Sequence, residues 1–132
     1  MDIINDKCQE YTEIAEALKL ELKKNLQPRK ILFHQHLAEI LINNLLGNAI
    51  KYNKPSGNVD IILLGGQLSI SNTSANGPLD RQKIFKRFYR ESTTGEGNGL
   101  GLSIVKQICD MAGYLVTYEY ANEQHFFKID FR

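Results

Sequence analysis

The stretch from Gln35 to Tyr52 constrains this chain most, because its apolar residues recur at helical spacing while its polar stripe is built from asparagine. At about 100° per residue, Asn44, Asn48, Lys51 and Tyr52 fall within roughly a quarter turn. Ile42, Leu45, Leu46, Ala49 and Ile50 take the adjoining and opposite arc. Asparagine is a poor residue for a helix interior, and a merely solvated face would use Glu, Lys or Gln. Local propensity is given up along this stripe, as happens where a site is being built. The stripe suits a phosphate-bound Mg²⁺, which prefers oxygen ligands and is held by few protein groups when phosphates supply the rest. An Asn carbonyl ligates without adding negative charge, and Lys51 can neutralise a phosphate as a point charge. The plainer alternative is a helix with incidental surface asparagines.

A second feature bears on the same chemistry. Gly95, Gly97, Gly99 and Gly101 alternate in TGEGNGLGLSIV and run into an amphipathic segment, Leu100 to Ala112. Closely spaced glycines let backbone N–H groups turn toward a ligand, and the following helix N-terminus favours an anion. Glycine-rich turns also serve as connectors, so the loop gains weight from the asparagine helix and not alone.

At 132 residues, with 42% apolar and 23% charged residues, the chain fits one globular domain spanning 1–132. A formal charge of +1 removes the argument for a nucleic-acid or membrane surface, so an anionic ligand must be held by local features. Cys8 and Cys109 match no metal-ligand spacing and favour a reduced, cytoplasmic setting. No apolar run approaches a membrane span; the chain is expected to be cytoplasmic, as the cytoplasmic part of a membrane-bound sensor would be.

The pattern predicts a helix over Ile3 to Leu20, a short alternating strand through Leu20, Leu22 and Leu26 before Pro28, and an extended piece over Ile31 to Phe33. After the helix from Gln35 to Tyr52, Val59 to Leu64 and Gln67 to Ser71 read as a hairpin about Gly65-Gly66. Asn72 to Gly99 reads as a long loop interrupted by a short apolar helix-like piece around Ile84, Phe85 and Phe88. The helix from Leu100 stops at Gly113, and Tyr114 to Tyr120 and His125 to Phe131 close the chain as strands. The order suggests an α+β fold, helices covering one face of a mixed sheet.

Three motifs carry a family resemblance. NLLGNAIKYN resembles the N box, KIFKRFYR the F box and GNGLGLSIV the second glycine box of the catalytic ATP-binding domain of sensor histidine kinases, in family order and spacing over essentially the whole chain. The resemblance implies a two-layer sandwich of three helices on a mixed sheet, the fold shared with gyrase, mismatch-repair and heat-shock chaperone ATPases, with ATP under a mobile lid. It implies that Asn48 coordinates Mg²⁺, that Asn44 supports the phosphate and metal site, and that Lys51 and Tyr52 contact phosphates or ribose. Arg90 would reach the terminal phosphate. Gly97, Gly99 and Gly101 would line the end of the lid, Asn98 would face the phosphates, and Leu100 and Leu102 would offer backbone donors. Phe85 and Phe88 would anchor the lid.

The first glycine box departs from the family. SNTSANGPLD places Asn72 where an Asp would accept the adenine amino group; Ser74 and Asn76 take glycine positions and Gly77 is displaced. An Asn carbonyl still accepts, at a cost of about 1 kcal/mol for the lost charge assistance, or roughly fivefold to tenfold in affinity. Asp80 reads as the cap of a short helix.

In the related ATPases a glutamate one turn before the metal asparagine activates water. Asn44 holds that position here, and an amide cannot act as a general base. The resemblance therefore implies phosphoryl transfer, with Asn44, Lys51 and Arg90 as the catalytic groups and the acceptor a histidine on a separate dimerisation domain of the same kinase, and a response regulator downstream. His34, His36 and His125 lack the acidic neighbour of a phosphoacceptor and read as structural. The alternatives are a degenerate docking or regulatory module with weak nucleotide affinity, and a serine kinase of the anti-sigma type on the same fold.

Overall fold

The computed structural model describes residues 2–26, 35–74, 77–79, 84–85 and 101–131. The elements are α1 (Asp2–Ala17), β1 (Glu21–Leu26), α2 (Gln35–Lys51), β2 (Asn58–Leu64), β3 (Gln67–Thr73), α3 (Gly101–Ala112), β4 (Leu115–Ala121) and β5 (Gln124–Asp130). The expected extended piece at Ile31 to Phe33 lies outside the described residues.

The helices end where the backbone turns left-handed. After α1, Lys19 takes a φ of 60° and the Leu20 N–H reaches back to the Ala15 carbonyl at 2.8 Å. After α3, Gly113 at φ 76° lets the Tyr114 N–H bond the Cys109 carbonyl at 2.9 Å, as its sequence position predicts.

The five strands form one mixed sheet in the order β1-β2-β3-β5-β4. β1 runs parallel to β2, and every other pair is antiparallel. The parallel pair needs a crossover, which α2 supplies. Strand alternation sends Val59, Ile61, Leu63, Leu68, Ile70, Val116, Tyr118, Phe127 and Ile129 to one face, where they are buried. Against them pack Leu41, Ile42, Leu45, Leu46 and Ala49 of α2, Val105, Ile108 and Cys109 of α3, and Ile4 and Cys8 of α1. The opposite face is polar and open enough to leave Ile62 at 38% and Leu64 at 45% exposure. The two-layer α+β arrangement is the one expected from the sequence.

Two boundaries differ from the sequence reading. β3 runs on through Asn72 to Thr73, so Asn72 is a strand residue, paired with Val59 on one side and His125 on the other. The composition of SNTS suggests a loop, but strand pairing on both sides outweighs composition. The apolar piece at 84–85 is a turn that drives Ile84 into the core, with Phe85 set edge-on against Phe127 at 6.3 Å. Phe88 and Asp80 lie outside the described residues.

Candidate functional site

The asparagine stripe of α2 faces the first turn of α3. Asn44 is half-buried and its Nδ2 donates to the Ile40 carbonyl one turn back at 2.8 Å, which commits its donor and leaves Oδ1 free to face outward. A methyl group built on Gly101, the first residue of α3, would lie 3.0 Å from that Oδ1 and 3.7 Å from Asn48 Nδ2. Glycine is therefore what lets the N-terminus of α3 come this close to the two asparagines. The half-buried Asn48 amide makes no hydrogen bond to any described residue. Two motifs far apart in sequence thus meet, one providing the side-chain amides of Asn44 and Asn48 and the other the positive end of a helix.

Lys51 closes α2 and is exposed, its Nζ 5.4 Å from the centre of the Tyr52 ring. The Tyr52 N–H bonds the Asn48 carbonyl at 3.0 Å, so it continues the helical path one residue past the helix. Leu102 is half-buried in the first turn of α3. Arg90, Gly97, Asn98, Gly99 and Leu100 lie outside the described residues.

Asn72 marks the other end of the site. It is 4% exposed, and its Nδ2 donates to the Thr73 carbonyl at 2.9 Å. That bond fixes the amide's orientation, since a flipped side chain would set oxygen against oxygen. Oδ1 is left as an acceptor that no described residue occupies. Ser74, at a family glycine position, uses its hydroxyl locally: Oγ accepts the Gly77 N–H at 2.9 Å and donates to the Gly77 carbonyl at 3.0 Å.

A polar knot that the sequence reading did not foresee ties these two ends together. Asn53, just past α2, donates to the carbonyls of Ala49 at 3.2 Å and Asn58 at 2.9 Å. Asn58 in turn donates its N–H to Thr73 Oγ1 at 2.7 Å, and Thr73 returns its proton to Asn58 Oδ1 at 2.9 Å. Gly57 sits inside the knot. A Cβ there would fall 2.1 Å from Asn53 Oδ1 and 2.6 Å from Thr73 Oγ1. Asn53 ends the NLLGNAIKYN motif, so its position was visible in sequence although its partners were not.

Neither cysteine competes with this site as a nucleophile. Both thiols are buried, and desolvation pushes Cys8 and Cys109 up to about 11, so each stays a protonated, unreactive SH at neutral pH. His36 is exposed on α2 and His34 lies outside the described residues. His125 is 5% exposed and bound to Tyr118, in keeping with a structural role. No helix among the described residues is long and apolar enough to cross a membrane.

Comparison with known proteins points the same way. Residues 34–130 match the model of a family described as "Histidine kinase-, DNA gyrase B-, and HSP90-like ATPase". Over 126 residues the chain is 31% identical to the heme sensor protein HssS of Staphylococcus aureus, covering 92% of this chain and 28% of that protein. It thus spans little more than a quarter of the length of the curated relatives it matches. Among solved structures, the mycobacterial sensor histidine kinase MprB superposes with a TM-score of 0.81 at 25% identity, covering 97% of this chain and 91% of the other. The catalytic domain of histidine kinase ThkA superposes at 0.82 with 20% identity, covering 98% and 90%, a likeness of fold.

Proposed function

This chain belongs to the histidine kinase-, DNA gyrase B- and HSP90-like ATPase family, as a catalytic domain of the sensor histidine kinase type, and from that premise we propose that it binds Mg-ATP and donates the γ-phosphate to a histidine on a separate dimerisation domain of the same kinase. The observation that supports the reading is the approach of Gly101 to Asn44 and Asn48, which sets the Asn44 amide oxygen and the Asn48 amide beside a helix N-terminus.

The donor set fits a hard cation. The described residues hold no cluster of three or more His, Cys, Asp or Glu, so a metal here would rest on an amide oxygen and its ligand's own phosphates, an arrangement Mg²⁺ accepts. Asn48 is the residue proposed to hold it, and the ion would supply charge neutralisation on the phosphates when bound.

Each remaining group has a task that its placement supports. The α3 N-terminus at Gly101 and Leu102 offers backbone donors to phosphate oxygens. Exposed Lys51 is free to swing its ammonium to a phosphate, with Tyr52 beside it toward the ribose. Asn72 accepts the adenine amino group through Oδ1. Asn44 has no proton-accepting nitrogen or carboxylate to offer and spends its donor on Ile40, so it positions and does not activate water. Slow hydrolysis and transfer to an outside acceptor follow. Arg90, Gly97, Asn98, Gly99 and Leu100 are proposed to complete the phosphate side, and a response regulator would receive the phosphate afterwards.

Calorimetric titration with ADP and a non-hydrolysable ATP analogue, with and without Mg²⁺, tests the binding. Saturable heat that needs Mg²⁺ is the expected outcome; silence at millimolar nucleotide would leave a docking module. Mixing the chain with a matching dimerisation domain and ATP should give acid-labile phosphate, and acid-stable phosphoserine would refute the histidine assignment.

A further inference from the structure

We infer that Tyr118 and His125 are positioning residues for nucleotide binding, acting through one buried hydroxyl that holds residues 77–79, the segment that follows the strand of Asn72. The inference rests on the reading of the site as an ATP site.

Tyr118 and His125 face the core from β4 and β5 and are 4% and 5% exposed. The Leu79 N–H donates to Tyr118 Oη at 3.0 Å, and Tyr118 Oη lies 2.7 Å from His125 Nδ1. Oη thus accepts from Leu79 and shares a second hydrogen bond with the imidazole. A chain of hydrogen bonds results, joining the Leu79 amide, the tyrosine hydroxyl and the histidine. His125 is also the strand partner of Asn72, the proposed adenine acceptor. The chain leaving Asn72 is held at Ser74 by the Glu123 carbonyl at 2.8 Å and then, at Leu79, by Tyr118.

Packing does not do this job unaided. An open cleft of about 410 Å³ lies between Pro78 and Leu79 on one side and Tyr118, Glu119 and Tyr120 on the other, and Pro78 is exposed. Over such a cleft the hydroxyl adds a directional contact at Leu79 to the Ser74–Gly77 bonds and to the packing of Leu79 on the core, and so helps to fix the segment that leaves the strand of Asn72. Fixing that segment in advance saves the ordering cost at the moment of binding.

The test uses Tyr118→Phe, which keeps the ring against Phe127 at 5.0 Å and removes only the oxygen. ADP affinity should fall about fivefold, the value of one such hydrogen bond, while affinity for inorganic tripolyphosphate stays unchanged. Amide exchange at Leu79 should quicken at least about tenfold with Phe127 unaltered. An equal loss for both ligands would mark general weakening and overturn the inference, as would unchanged ADP binding. If wild type itself gives no heat with ADP, the ATP reading fails first.

His125→Gln retains a hydrogen-bonding partner for the Tyr118 hydroxyl and should stay within about twofold of wild type, whereas His125→Leu should lose about fivefold. Equal affinities for that pair would remove His125 from the chain, and they decide the matter should Tyr118→Phe not fold.

Discussion

The two ends of the site differ in how their polar groups are spent. At the α2–α3 end, Asn48 makes no hydrogen bond to a described residue and Asn44 keeps its Oδ1 free. At the β3 end, Asn53, Asn58 and Thr73 satisfy one another, Ser74 closes on Gly77, and Asn72 spends its donor on Thr73. Polar groups removed from water cost free energy unless they are paired. The first end thus keeps half-buried amides available, while the second is satisfied within itself and presents a single acceptor. On the proposed reading the phosphate side would supply most of the affinity and the base side would choose the ligand.

The sharpest way to break this contrast is Asn48→Ala. It should remove the Mg²⁺-dependent part of ADP affinity by at least about tenfold, the cost of losing even an outer group at a metal site, with little change in melting temperature. Equal affinity with and without Mg²⁺ in wild type would show that the unpaired amide holds no ion. Next comes Gly101→Val, whose branched side chain would enter the space 3.0 Å from Asn44 Oδ1. A loss of about tenfold in ADP affinity is expected from displacement of α3 by a fraction of an ångström. Unchanged titration would mean that the close approach carries no binding.

Asn72→Asp probes the other end with two readouts of opposite sign. The charged acceptor should tighten ADP up to about fivefold. Yet a carboxylate oxygen would replace the Nδ2 that donates to Thr73, setting acceptor against acceptor and destabilising the free protein by about 1–3 kcal/mol. A raised melting temperature would contradict the assigned orientation of the amide. The smallest effect on binding belongs to Thr73→Val. It leaves the Asn58 N–H and Oδ1 without their partner and should cost about 1–3 kcal/mol of stability by urea unfolding, with ADP affinity within about twofold.

Much of the fold was legible because it rests on local period. The helices of Gln35 and Leu100 and the strands after Gly57 and Gly113 each show one buried face in the sequence itself. Asn72 was misread as a loop residue because Asn, Ser and Thr belong to turns by composition. Its place two residues after Ile70, itself two after Leu68, carries the strand period that burial confirms. The site was legible in its parts, since asparagine stripes and glycine runs violate propensity visibly. Its assembly was not: no local rule says that Gly101 lands on Asn44, or that Gly57 must lack a side chain because Asn53 and Thr73 meet there. Those are facts of three-dimensional crowding. The hydroxyl chain from Leu79 through Tyr118 to His125 was equally hidden, because it joins an irregular segment to two strands.

The single parallel pairing in the sheet governs how this domain assembles. The β2–β3 and β4–β5 hairpins close through turns at Gly65-Gly66 and Asn122-Glu123, all with positive φ, and can form by short-range search. β1 can pair with β2 only after the chain has passed through the whole of α2, and such distant pairing pays its closure entropy before any contact rewards it. β1 is also one of the two edge strands, with Leu22 and Leu26 partly covered. On these grounds β1 is expected to join last and to peel away first. The asparagine helix is the next described element along the chain, so the proposed ligand-binding stripe lies between the pairing expected to come last and the core.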